Sequence, residues 1–75
     1  MSILADLRVT LSQEWLRKKL TLKERAELLH DITTDFDSDV YEKEDEQGNY
    51  LGKDIDKAMK DLSETDKLDE LHRRF

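Results

Sequence analysis

Thr21 and Glu24 stand three residues apart at the head of "TLKERAELLHDI". That is the spacing of a capping box, in which the hydroxyl accepts from one free helix amide and the carboxylate reaches back to another. Behind it Leu22, Ala26, Leu29 and Ile32 recur at helical spacing, and Leu28 widens the stripe. The stretch predicts a helix from Leu22 to about Thr33 or Thr34, where two β-branched residues run into aspartates. A helix with one apolar face has to bury it, so the rest of the chain must supply partner faces.

Ile3, Leu4, Leu7 and Leu11 form one such face, with Ser2 placed to cap it. Val9 and Thr10 weaken its end, and Ser12 offers a second cap before "QEWLRKKL", so residues 3–20 read equally as one bent helix or as two short ones. Asp54 caps a further helix whose stripe is Ile55, Ala58, Met59 and Leu62. Leu68, Leu71 and Phe75 keep helical spacing, but at about 100° per residue they point to nearly the opposite side. Ser63 and Asp66 supply a capping signal where the phase slips, which predicts two helices, 54–62 and 64–75.

Between these helices the period changes. "VYEKEDEQGNYLGK", residues 40–53, sets β-branched and aromatic residues on both sides of "DEQGN", where Gly48 and Asn49 tolerate the positive φ of a tight turn. The prediction is a short hairpin or an ordered acidic loop within residues 35–53. Two strands alone are marginal in water, so Val40, Tyr50 and Leu51 are expected against the helices. The fold class is mainly α: a small helical bundle in a single domain, 1–75, with this minor β element between the second and third helical regions.

With 75 residues and 36% hydrophobic content, a chain of this kind buries only about 60% of the surface that its unfolded form exposes. There is no cysteine, hence no disulfide, no thiolate metal site and nothing that needs an oxidising compartment. Apolar runs are short and flanked by charge, which predicts neither a membrane-spanning helix nor a signal peptide. A soluble cytoplasmic protein is expected, its thin core favouring a partner or a second copy. Charge is unevenly placed: residues 1–30 carry net +2, residues 31–56 net −8, and residues 57–75 balance, giving −6 overall. "DFDSDVYEKEDEQGN", residues 35–49, holds seven carboxylates and one lysine.

Asp35, Asp37, Asp39, the Tyr41 carbonyl and Glu46 match the ligand spacing of an EF-hand calcium loop over about twelve residues. Val40 stands where that loop needs glycine, Glu42 where it carries an apolar residue, and the exit helix runs into Gln47, Gly48 and Asn49. Metal ligation is therefore not expected, and no cofactor motif is present. His30 and His72 are the two histidines, and neither has the nucleophile and orienting group of a catalytic triad beside it in sequence. Glu27 with His30 makes one ExxH pair, whereas a di-iron bundle needs two and further carboxylates. No phosphate-cradling glycine loop occurs. The chain is not expected to be an enzyme.

Three readings of function follow. The first is a non-enzymatic protein-interaction factor, a small acidic inhibitor or regulator that engages a basic, nucleic-acid-binding surface of a larger protein, the carboxylates imitating phosphates. Its contact residues are Asp35, Asp37, Asp39, Tyr41, Glu42, Glu44, Asp45 and Glu46. In composition it is like the small acidic factors that phages and mobile elements use against host enzymes. The second reading is a nucleic-acid-associated regulator using Trp15, Arg17, Lys18, Lys19, Lys23 and Arg25. Against it, the net charge repels a duplex, and Trp15, the bulkiest apolar group, is expected in the core. The third is a self-assembling helical subunit joined through Trp15, Leu68, Leu71 and Phe75, the basic first third of one chain meeting the acidic middle of another.

Overall fold

The computed structural model describes residues 3–36 and 38–73. The expected Ser2 cap, the contact residue Asp37 and the interface residue Phe75 lie outside them. Four helices and a hairpin follow in the order α1 (Ile3–Leu11), α2 (Glu14–Lys19), α3 (Leu22–Asp35), β1 (Glu42–Glu44), β2 (Tyr50–Lys53) and α4 (Ile55–Arg73). The expected architecture is present: mainly α, with one two-stranded antiparallel sheet.

Residues 3–20 form two helices. Arginine side chains take the carbonyls at the end of α1, Arg25 Nη1 donating to the Leu11 carbonyl at 3.3 Å and Arg17 Nε to the Ser12 carbonyl at 2.9 Å. With those acceptors occupied the ladder does not continue. It restarts when the Leu16 and Arg17 amides donate to the Gln13 carbonyl. The N-cap is Gln13, with no side-chain cap bond, in place of the expected Ser12, whose side chain is buried instead.

The capping box of α3 is formed in both directions, the Glu24 amide donating to Thr21 Oγ1 at 3.1 Å and the Thr21 amide to Glu24 Oε1 at 3.0 Å. These bonds hold the Glu24 carboxyl below its ordinary pKa, the Thr21 backbone bond most of all. At the other end the Thr33 and Thr34 hydroxyls donate back to the Leu29 and His30 carbonyls, and the Phe36 and Ser38 amides close on the Thr33 carbonyl.

The core consists of Leu11, Ala26, Leu29, Tyr41, Ala58 and Leu62, with Leu4, Leu7, Val40, Ile55 and Met59 among the side chains packed on it. Every helix of the bundle except α2 contributes a buried residue from its apolar stripe. Leu28, expected to widen the α3 stripe, is exposed, as is Ile3 at the start of α1.

The expected break at Ser63 does not occur: α4 runs unbroken for 19 residues. One face continues in phase from Ile55, Ala58, Met59 and Leu62 to Asp66 and Asp69, and changes from apolar to ionic on the way. Asp66 receives both guanidinium arms of Arg25, at 3.0 and 3.1 Å, and Asp69 and Glu70 receive Arg17. Because ion pairs hold the second half of α4 in place, its leucines need no burial, and Leu68 and Leu71 face solvent. Asp54 does cap α4, its Oδ1 accepting from the Lys57 amide.

In the hairpin Glu42 pairs with Lys53 and Glu44 with Tyr50, a bulge separating these pairs. Asp45 makes the turn, accepting from the Gln47 and Asn49 amides and from the Asn49 side chain, and Gly48 adopts φ 85°. Val40 packs as expected, but Tyr50 and Leu51 remain exposed. Tyr41 replaces them as the anchor. Its ring is fully buried, its hydroxyl donates to Asp61 Oδ2 at 2.7 Å, and its carbonyl accepts from the Asp54 amide.

Candidate functional site

The end of α3 and the hairpin together gather the acidic residues. Asp35, in the last turn of α3, Asp39 in the connection, Glu44 on β1, and Asp45 and Glu46 in the turn are all exposed. Among the described residues no lysine, arginine or histidine bridges any of these five. The last turn of α3 also contains no base, so the negative end of its helix dipole adds to the field of Asp35 instead of being neutralised. Three apolar side chains interrupt the carboxylates: Phe36 is 61% exposed, Tyr50 60% and Leu51 62%.

The hairpin is tied to α3 at its base. His30 Nδ1 lies 3.0 Å from Asp31 Oδ1, His30 Nε2 lies 3.8 Å from Glu42 Oε1, and Lys53 Nζ lies 3.6 Å from Asp31 Oδ1. The His30 contact, with help from Lys53, holds the Asp31 carboxyl below its ordinary pKa although desolvation opposes the shift. Asp45 is lowered as well, chiefly by the Asn49 backbone amide and then by the Asn49 side chain.

Two of the expected contact residues therefore have other positions. Tyr41 is core, because a hairpin of two strands needs an anchor and its ring is the one that enters the bundle. Burial raises its phenol pKa, Asp61 adds to the rise, and Arg8 opposes it. Glu42 is half-buried and turned toward His30. Asp35, Asp39, Glu44, Asp45 and Glu46 share the exposed end.

The expected basic patch divides by residue type. Arg25 is buried and paired to Asp66, and the half-buried Arg17 is paired to Asp69 and Glu70. Lys18, Lys19 and Lys23 are exposed. Trp15, expected in the core, is 58% exposed, with Lys19 Nζ 5.9 Å from its ring centroid. On a two-turn helix Trp15 and Leu16 point in different directions, and Leu16 is the one that packs on the core.

The calcium-loop spacing does not form a single loop. Asp35 belongs to a helix, residues 42–44 to a strand, and the Tyr41 carbonyl is taken by the Asp54 amide. Among the described residues no group of three or more metal-ligating side chains comes together. Likewise, among the described residues, no helix is long and apolar enough to cross a membrane. Neither a protein-family model, nor a curated protein, nor a solved structure matches this chain.

Proposed function

We propose that the protein is a non-enzymatic interaction factor, a small acidic inhibitor or regulator that engages a basic surface of a larger protein. One observation supports the reading above others: Asp35, Asp39, Glu44, Asp45 and Glu46 lie exposed at one end with no internal counter-ion among the described residues. Uncompensated charge of one sign steers an oppositely charged partner and makes the association sensitive to salt. Phe36, Tyr50 and Leu51 supply what a bare polyanion lacks, apolar groups able to anchor in a protein surface. The favoured partner is a cationic protein groove of the kind that holds nucleic acid, met in the cytoplasm, and the carboxylates stand in for phosphates.

The test uses the immobilised chain as bait for proteins of its source cell, with salt at about 100 mM and about 1 M, where the screening length falls from about 10 Å to 3 Å. A basic protein should be retained at low salt and released at high salt. The variant Asp35→Asn/Asp39→Asn/Glu44→Gln/Glu46→Gln, which leaves the turn-forming Asp45 in place, should fail to retain it. Equal retention by that variant rejects the reading.

A further inference from the structure

We infer that His30 is a proton-operated latch: as an imidazolium it ties the hairpin to α3 through Glu42, and as a neutral ring it releases that tie. His30 is 5% exposed and follows the core residue Leu29 in α3. Its backbone is fixed, since the Thr33 and Thr34 hydroxyls both donate to its carbonyl. Each ring nitrogen faces a carboxylate. Nδ1 lies 3.0 Å from Asp31 Oδ1, a hydrogen-bond distance, and Nε2 lies 3.8 Å from Glu42 Oε1, beyond one. Among the described residues Nε2 is buried without a hydrogen-bond partner.

A neutral imidazole carries one N–H and one bare nitrogen. With the proton on Nδ1, Asp31 is served and the bare Nε2 is left facing Glu42. With the proton on Nε2, a bare Nδ1 meets the Asp31 oxygen at 3.0 Å. Neither tautomer serves both carboxylates, whereas the imidazolium has a donor on each nitrogen. Shortening the Nε2–Glu42 gap to the length of a charge-assisted bond, about 2.8 Å, draws Glu42, and β1 with it, toward α3. The other charged groups at this junction do not reproduce the tie. Lys53 on β2 reaches Asp31 at 3.6 Å, and both ends of that pair are exposed. Glu27, one turn earlier on α3, is exposed. Among the described residues no ionic group of α1, α2 or α4 bridges His30. Between about pH 5 and 8 histidine is the side chain that ordinarily changes charge, and carboxylates keep theirs. The latch is therefore closed at the acid end of that range and opens as pH rises through the His30 titration. The hairpin carries Glu44, Asp45, Glu46, Tyr50 and Leu51, so the latch sets how firmly half of the acidic end is held for a partner. That consequence, unlike the latch, rests on the function proposed above.

Nuclear magnetic resonance of the full chain from about pH 5 to about pH 8 tests this. The Asp54 amide, bonded to the Tyr41 carbonyl, and the Asp45 amide, bonded to the Asn49 carbonyl, report opening of the hairpin. Their protection from solvent exchange, corrected for its intrinsic pH dependence, should be about tenfold higher at the acid end, the lower end of the range for a hydrogen bond to a charged group. The change should share its midpoint with the His30 ring resonances. Glu42→Gln keeps the His30–Asp31 contact, and its amide can donate to a bare Nε2 at high pH, so it should abolish the gain in protection on acidification. His72→Gln should leave the gain unchanged. Equal protection across the range in the natural chain, a gain that persists in Glu42→Gln, or one that is lost in His72→Gln overturns the inference. The measurement needs no partner, so its failure leaves the partner reading standing. Equal retention of a basic protein by the amide variant, in which Glu42 is intact, rejects that reading and leaves the latch standing.

Discussion

Removing Asp66 tests whether the second half of α4 is held by charge and not by a cap. Arg25 is 5% exposed and gives Asp66 two bonds, at 3.0 and 3.1 Å, and Leu11 a third at 3.3 Å. Among the described residues its Nε is buried without a partner. Asp66→Leu would leave a guanidinium inside the bundle with only a carbonyl to bind, and breaking a buried pair in this way costs about 3–5 kcal/mol. A domain of this length has a total stability of about 4–11 kcal/mol. The single substitution is thus expected to remove about a quarter or more of it, and to lower the urea midpoint by about 3–5 M for an m-value near 1 kcal/mol/M.

The double variant Arg25→Met/Asp66→Leu separates loss of the pair from its net worth. Apolar replacement of a buried ion pair is often neutral or stabilising. Against that, the Leu11 carbonyl loses its donor, at about 1 kcal/mol. The double variant should therefore be within about 1 kcal/mol of the natural chain and far above the single. Ser63→Ala is the control: a lost N-cap costs about 1 kcal/mol, whereas a serine inside a continuous helix gains a few tenths on becoming alanine. Urea titration followed by circular dichroism measures all three. A loss below about 1 kcal/mol for Asp66→Leu, or a cap-sized loss for Ser63→Ala, refutes the account of α4.

Tyr41→Phe should cost about 1.5–3 kcal/mol, the range for a hydrogen bond to a charged group, read from the same titration; a neutral result would mean that the Asp61 bond does not anchor the hairpin. The Asp45 carboxyl lies below its ordinary 3.8 when folded, so the stability it gives the turn is full above that value and lost as pH falls through the folded value. The Gln47 and Asn49 amide resonances should shift with a midpoint below 3.8, and a midpoint at or above it refutes the turn bonding. Asp35→Asn should stabilise the chain by about 0.3–1 kcal/mol, since it removes an anion from the negative end of α3. A loss of stability would show that Asp35 is bonded internally.

Where one physical signal was sufficient, the sequence was legible. The Thr21 capping box and the stripe behind it place α3 within one or two residues, because both ends of the signal act inside the same helix. The hairpin was readable from its turn residues, but not its anchor. Tyr41 and Tyr50 flank the same turn with similar propensity, and which one enters the bundle depends on the register relative to α4. The false break at Ser63 came from treating a change of stripe as a change of direction. A helix can keep its phase while the chemistry of its buried face passes from leucine to aspartate, provided that the opposing face passes to arginine, and the two halves of that exchange lie 41 residues apart.

The same exchange explains why the candidate surfaces were only partly visible. Arg17, Lys18, Lys19, Lys23 and Arg25 are equivalent as a count of positive charge, yet the fold sorts them by geometry. A planar guanidinium offers several donors in a fixed fork: Arg25 grips Asp66 with two arms and reaches the Leu11 carbonyl, and Arg17 gives one arm each to Asp69 and Glu70 and reaches the Ser12 carbonyl. A lysine offers a compact, strongly hydrated charge, and Lys18, Lys19 and Lys23 stay outside. The carboxylates are sorted in turn. Those on α4 at 66, 69 and 70 are taken by the arginines, whereas those at 35, 39, 44 and 46 bridge no lysine, arginine or histidine among the described residues. The polarity of the molecule thus follows from where its arginines are. An arginine introduced at Lys57, beside the Val40 carbonyl and the Tyr41 ring, should leave the acidic flank exposed, whereas one introduced at Lys43, within the flank, should draw in a neighbouring carboxylate and weaken retention of a basic partner.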